Sequence, residues 1–244
     1  MMCYYYTKYP YLNYSYKDTD GGYIMFSLPP SMMAEKYKEY FNQKPKTFFD
    51  CGAAIGIIVQ LAMDYGMDAR GIDVRKYPDQ YQTILRTKQL LNYSIDPCGF
   101  DVHKNPDSDN ILTKTNQQKN KNYIIPGYAL RKLFENNRIE IKSILDCAPI
   151  KSDIAYCNGT LTYFDEKTLP TVLSKFTKVG MLCAIHNTTE DVIAAQKQGE
   201  TLLTCNKPRN IKPNDWWIET FNKNGFNAQL DEKLHTFIAI PRQR

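Results

Sequence analysis

The chain has 244 residues, 43% of them apolar, and a formal net charge of +5. That length supports one good core, or a core plus a small insert, and the mild positive charge permits an anionic partner such as RNA without requiring one. No apolar run is long enough to cross a bilayer. The seven cysteines are scattered with no C-x-x-C pair, which speaks against a disulfide framework or a zinc site and for a reducing, cytoplasmic compartment.

Residues 1–23 hold eight of the 18 tyrosines, with too few aliphatics for a core of their own. We read residues 1–31 as an aromatic segment laid across the main domain. Its rings have a second use, as a wall for a substrate ring or base. The start Met1-Met2-Cys3-Tyr4-Tyr5-Tyr6 lacks the apolar run of a secretory signal. Pro29-Pro30-Ser31 then opens a helix over 32–41, with Ser31 as the expected N-cap.

Phe48-Phe49-Asp50-Cys51-Gly52-Ala53-Ala54-Ile55-Gly56 reads as a short apolar strand that ends in a small-residue turn, followed by a helix over 57–63. Gly71-Ile72-Asp73-Val74 reads as the next strand, closed by an acid. Asp73 stands 21 residues after Gly52. In a nucleotide-binding βαβ unit that is where the acid that accepts from ribose hydroxyls belongs. Small residues let the backbone approach a ligand, and the helix N-terminus favours polar or anionic groups.

A helix is expected over 79–92. The next convincing strand begins only at Ile139, 66 residues after Asp73, although a crossover needs only a dozen or so residues. Pro97, Pro106 and the polar run 115–122 mark residues 93–127 as an insertion beside the site, a lid, a substrate platform or a plain loop. A helix over 128–136, strands over 139–145 and 153–157, a helix over 169–177 and a strand over 179–185 follow. A helix over 215–224 stopped by Gly225 and a closing pair of strands over 227–230 and 236–240 complete the chain.

The pattern acid-x-Gly-x-(Gly/Ala)-x-Gly, answered by an acid at the end of the next strand, resembles the Rossmann-like (class I) S-adenosylmethionine-dependent methyltransferases. It is not the dinucleotide fingerprint G-x-G-x-x-G, since Ala54 stands where a second glycine would be. The resemblance covers residues 32–78 and 128–244. It implies an α/β fold: a seven-stranded, mostly parallel sheet flanked by helices, its last strand antiparallel, with an insertion after the second strand, in a single domain spanning 1–244. It implies S-adenosylmethionine as cofactor and no metal.

The resemblance also distributes roles. Asp50 would lie near the methionine end of the cofactor, with Gly52, Ala54 and Gly56 lining the turn. Asp73 would take the ribose diol and Val74 the adenine face. Asp146-Cys147 would meet the adenine amino group, and Asn158 with Gly159 the methyl group. His186 and Asn187 end the fifth strand, where His186 would be a base if the acceptor is a hydroxyl that must lose a proton. His186 and Asn158 are the catalytic candidates.

Some acceptors are disfavoured. Asn158-Gly159-Thr160-Leu161 is not the (Asp/Asn)-Pro-Pro-(Tyr/Phe) of amino-directed base enzymes. Pro97-Cys98 lies in the insert, away from any strand end. Gly52-Ala53-Ala54 looks like the turn of ribose 2′-O-methyltransferases, but Asn158 and His186 stand where their tetrad wants Asp and Lys. The acceptor is thus a small molecule, a protein or RNA, with nucleic acid permitted and no membrane partner. A cofactor-binding but inactive partner subunit is the alternative, and a nicotinamide-dependent oxidoreductase a weaker one.

Overall fold

The computed structural model describes residues 12–18, 21–74, 82–88, 120–186, 188–197 and 210–242. In chain order the elements are β1 (Leu12–Asp18), β2 (Gly21–Ser27), α1 (Pro30–Phe41), β3 (Thr47–Cys51), α2 (Ile57–Asp64), β4 (Asp68–Asp73), β5 (Gln82–Lys88), β6 (Asn120–Pro126), α3 (Gly127–Glu135), β7 (Ile139–Ile141), β8 (Ile154–Asn158), α4 (Leu169–Ser174), β9 (Met181–Ile185), α5 (Thr189–Lys197), α6 (Asn214–Lys223), β10 (Phe226–Asp231) and β11 (Thr236–Pro241). Short 3-10 turns, Ile144–Asp146 and Thr160–Tyr163, follow β7 and β8.

Seven strands form the main sheet in the order β10-β11-β9-β8-β3-β4-β7. β7, β4, β3, β8 and β9 pair in parallel, and β11 pairs antiparallel with both β9 and β10. The pleat sends alternate residues to opposite faces. Phe48, Tyr156, Cys183 and Ile238 pack under α1, α2 and α3, with Met33, Tyr37, Ile58, Leu61, Leu130 and Leu133. Cys51, Ala155, Cys157, Leu182 and Phe237 pack under α4 and α6, with Leu173, Trp217 and Phe221. β9 is buried along its whole length, as a central strand covered on both faces must be. The seven-stranded Rossmann-like sheet read from the sequence is therefore the observed one.

Four local readings are corrected. The described part of the helix expected over 79–92 is a strand instead: β5 occupies Gln82–Lys88, pairing with β1 on one side and β6 on the other. Pairing with segments remote in sequence overrides helix propensity there. The polar residues Asn120, Lys121 and Asn122 belong to β6. The strand expected over 139–145 stops at Ile141 and becomes a 3-10 turn capped by Ser143, whose Oγ accepts from Leu145 N at 3.2 Å. Pro29 caps α1 without a side-chain bond, and Ser31, the expected cap, is a buried residue of the first turn. Pro30 suits that turn because its missing N–H would have no helical partner.

β1, β2, β5 and β6 form a second sheet, in the order β2-β1-β5-β6. Much of the tyrosine-rich start is thus a β-hairpin. Residues 1–11 and 93–119 lie outside the described residues.

Candidate functional site

The switch in strand order falls at β3, which is flanked by β4 on one side and β8 on the other. In open α/β sheets ligands collect outside the carboxyl ends of the strands at such a point. The turn after β3 is held there by its backbone. Gly52 N and Ala53 N both donate to Ile72 O at 2.9 Å, and Ala54 N donates to Asp73 Oδ2 at 2.9 Å. Three successive amides therefore lock the turn to the end of β4 and orient the Asp73 carboxylate. A carboxylate has about four acceptor positions, of which the Ala54 amide takes one.

Two glycines are required by space as well as by dihedral angle. Gly52 has φ +88°, and a Cβ there would fall on Thr160 Oγ1. That hydroxyl donates to Cys51 O at 2.8 Å, tying the first turn to the one after β8. Gly56, at φ +89°, begins α2, and a Cβ there would collide with Ile139 Cδ1 and lie 2.7 Å from Leu133 Cδ1. Ala54 adopts φ +49° with a side chain, a conformation that disfavours any Cβ.

Asp50 is 3% exposed. Burial, reinforced by the Asp73 carboxylate, pushes its carboxyl up to about 8. A buried acid without a nearby cation favours its neutral form.

Val74 is exposed at the end of β4, and Ile141 and Leu145 are exposed at and after the end of β7. Ile141 is the strand partner of Asp73 and Val74 follows it in sequence, so these two set apolar surface beside that acid. Ile141 and Leu145 escaped the sequence reading because that strand was drawn too long. Asp146 is exposed in the 3-10 turn. Cys147 is buried instead, its Sγ donating to Ser143 O at 3.5 Å and its thiol pushed up by burial.

At the end of β8, Asn158 Nδ2 donates to Ser27 Oγ at 2.9 Å. Two residues earlier, the Tyr156 hydroxyl accepts from Leu28 N at 3.0 Å. The junction between β2 and α1 is thus fastened to the carboxyl end of β8. Gly159 follows at φ +70° and donates its N–H to Ile185 O at 2.6 Å.

His186 departs from expectation. Its ring is 4% exposed, 3.8 Å between centroids from Trp217 and stacked at 4.7 Å on Phe237. Among the described residues neither ring nitrogen has a hydrogen-bond partner. Burial lowers it to about 3, with Asp191 pulling it up and His235 down. A general base must reach the proton it takes. The ring is enclosed among core aromatics, so a role for His186 as a base requires that it first be uncovered. Asn187 lies outside the described residues. His235, by contrast, has its Nε2 2.9 Å from Asp191 Oδ1. Among the described residues no cluster of His, Cys, Asp and Glu could hold a metal ion, and no helix is long and apolar enough to cross a membrane.

No protein-family model and no curated protein matches the chain. Solved structures do. The plantazolicin methyltransferase BpumL, in complex with a triazolic desmethylPZN analog and SAH, superposes with a TM-score of 0.51 at 7% identity, over 87% of this chain and 83% of that one. The small RNA methyltransferase HEN1 gives 0.50 at 13% identity over 88% of this chain, which spans only 25% of the HEN1 chain. The PH0226 protein from Pyrococcus horikoshii OT3 gives 0.50 at 12% identity, covering 88% and 89% of the two chains. At such identities the likeness is one of fold.

Proposed function

We propose that this chain, which has the fold of the class I S-adenosylmethionine-dependent methyltransferases, binds S-adenosylmethionine at the β3 turn and transfers its methyl group to an acceptor at the ends of β8 and β9. The observation that carries this reading is the pairing of turn and acid, with Ala54 N donating to Asp73 Oδ2. It presents an oriented carboxylate at the switch point, where a ribose diol would be held. The residues present fit the cofactor: a turn that opens with the small residues Gly52, Ala53 and Ala54, the acid, and apolar Val74, Ile141 and Leu145 as walls for a purine. The buried Asp50, two residues before Gly52, would lie at the methionine end.

When bound, the sulfonium supplies an already activated methyl group. What the protein adds is position, worth up to roughly 7–11 kcal/mol when two reactants are held in line. Asp73 fixes one end of the donor and the β3 turn sets its depth. Asn158, braced by Ser27, borders the acceptor side. The enclosure of His186 favours an acceptor that needs no histidine base, such as an unprotonated amine.

Asp73→Ala should weaken S-adenosylmethionine binding by about 1–3 kcal/mol, the cost of leaving polar groups unpaired. Unchanged affinity would remove the ribose assignment. Labelled methyl transfer into fractionated extract would identify the acceptor pool. The second reading, an inactive cofactor-binding partner subunit, takes its support from Ala54 in a strained turn and from the enclosed His186. It predicts cofactor binding with no label transferred to any fraction.

A further inference from the structure

The main sheet ends in β10, and a cavity of about 410 Å³ opens beside that strand, a size within the roughly 300–1,000 Å³ of small-molecule sites. Directly opposed residues share a face of a sheet, and so do residues two apart on a strand. Gln229 is opposite Ile238 and Asn227 is opposite Ile240, so all four lie on one face of the β10–β11 pair. It is the face under α1: Ile238, 1% exposed, belongs to the core there, and Ile240 packs against that core. The two isoleucines make an apolar floor. Tyr40 of α1 closes one side, its hydroxyl accepting from Gln229 Nε2. On α6, Asn222 is fixed by Ala228, whose N–H donates to its Oδ1 at 3.0 Å.

The polar end of the cavity is Arg242, just past β11. Its Nε donates to Phe226 O at 3.0 Å and to Asn227 Oδ1 at 3.1 Å, and its Nη2 donates to Asn222 O at 3.1 Å. A guanidinium carries five N–H groups, and these bonds orient it through one edge only. All three acceptors are neutral, and no carboxylate pairs with Arg242 among the described residues. The acids of the neighbouring elements are already matched. Asp231 of β10 and Glu39 of α1 lie 2.9 and 2.7 Å from Lys36, and Glu219 of α6 lies 3.0 Å from Lys223. An oriented cation without a counter-charge thus stands at the end of an apolar floor.

We infer that this cavity binds a small organic acid, with its carboxylate on Arg242 and its apolar body over Ile238 and Ile240. The planar fork of a guanidinium matches a carboxylate, and the charge strengthens the hydrogen bonds. The apolar floor selects an acid with a hydrocarbon body over a bare inorganic anion. The cavity lies four strand intervals from β3, about 19 Å at the usual spacing. Its ligand is therefore distinct from the methyl donor, and the inference does not rest on the methyltransferase reading.

The experiment is an NMR titration of the full chain, labelled at its isoleucine methyls, with hexanoate, hexanamide and inorganic phosphate. Hexanoate shifts the Ile240 methyl signal, identified by its loss in Ile240→Ala, and saturates in the millimolar range usual for so small a ligand. Hexanamide, of the same shape without the charge, binds about tenfold more weakly, as does phosphate, which lacks the apolar body. Arg242→Gln weakens hexanoate about tenfold and removes its advantage over hexanamide. Arg242→Lys, which keeps the charge and loses the fork, falls between the two. An Ile240 signal unmoved by hexanoate, equal affinity for hexanoate and hexanamide, phosphate binding as tightly as hexanoate, or an Arg242→Gln variant that binds like the parent overturns the inference. The comparison of the three ligands on the parent chain decides the matter if Arg242→Gln fails to fold. Asp73→Ala leaves hexanoate binding unchanged, so loss of the cofactor site and loss of this one are read separately.

Discussion

Replacing Asp50 by Asn should flatten the pH dependence of folding. Burial and the neighbouring Asp73 take the Asp50 carboxyl from 3.8 to about 8. Between those values the folded chain holds one proton that the unfolded chain has released. Its contribution is complete below pH 3.8 and is lost as pH rises through about 8. One proton changes stability by about 1.36 kcal/mol per pH unit, which is about 2.5 kcal/mol between pH 5.5 and 7.5. The Asn variant has the same shape and no proton to lose. Urea unfolding of both proteins at four pH values across that range supplies the comparison, and subtracting the two curves cancels the titrating groups that do not interact with Asp50. The difference should move by about 2.5 kcal/mol in favour of the variant as pH rises. Parallel curves would mean that Asp50 ionises in the fold as freely as in water, and the enclosed site drawn around it would be wrong.

His186→Phe should stabilise the fold by about 1–2 kcal/mol near pH 7, since it removes two buried ring nitrogens that have no partner among the described residues. It should also delay acid unfolding: the folded ring is lowered to about 3, so the native protein loses stability as pH falls below 6.5, and the variant does not. Thermal melts at pH 4.5 and 7 check both effects, and methyl transfer by this variant should stay within about threefold of the parent. Gly52→Ala should cost at least about 2 kcal/mol, from the left-handed backbone and the collision with Thr160 Oγ1, and Thr160→Ala in the same chain should recover only the collision. Ala54→Gly relieves the left-handed strain at φ +49° but adds unfolded-state entropy, so denaturant midpoints should show a gain below about 1 kcal/mol.

The main sheet was legible because its signals are local. Phe48 to Gly56, the buried β9 and the closing β10–β11 pair carry their apolar runs and turn residues within a few positions. The second sheet was not, because its pairing is remote: Leu85 finds Tyr14 and Tyr123 across long stretches of chain, and a seven-residue run such as Gln82–Lys88 reads as helix when its partners are out of view. The same division runs through the site. Gly52, Gly56 and Asp73 were nominated from local sequence, and the structure brings the turn and the acid together, with Ala54 N on Asp73 Oδ2. The burial of His186 had no sequence signal, because Trp217 and Phe237, which enclose it, arrive from α6 and β11. Thr160, which sets the need for glycine at 52, had no sequence signal at all.

The central claim, that the β3 turn and Asp73 form a site for S-adenosylmethionine, is tested most directly by titration calorimetry of the full chain with S-adenosylmethionine and NAD in parallel. The structure predicts saturable one-to-one binding of the methyl donor, weakened by Asp73→Ala, and no heat from NAD. Binding of NAD with none of the methyl donor at millimolar concentration would contradict it.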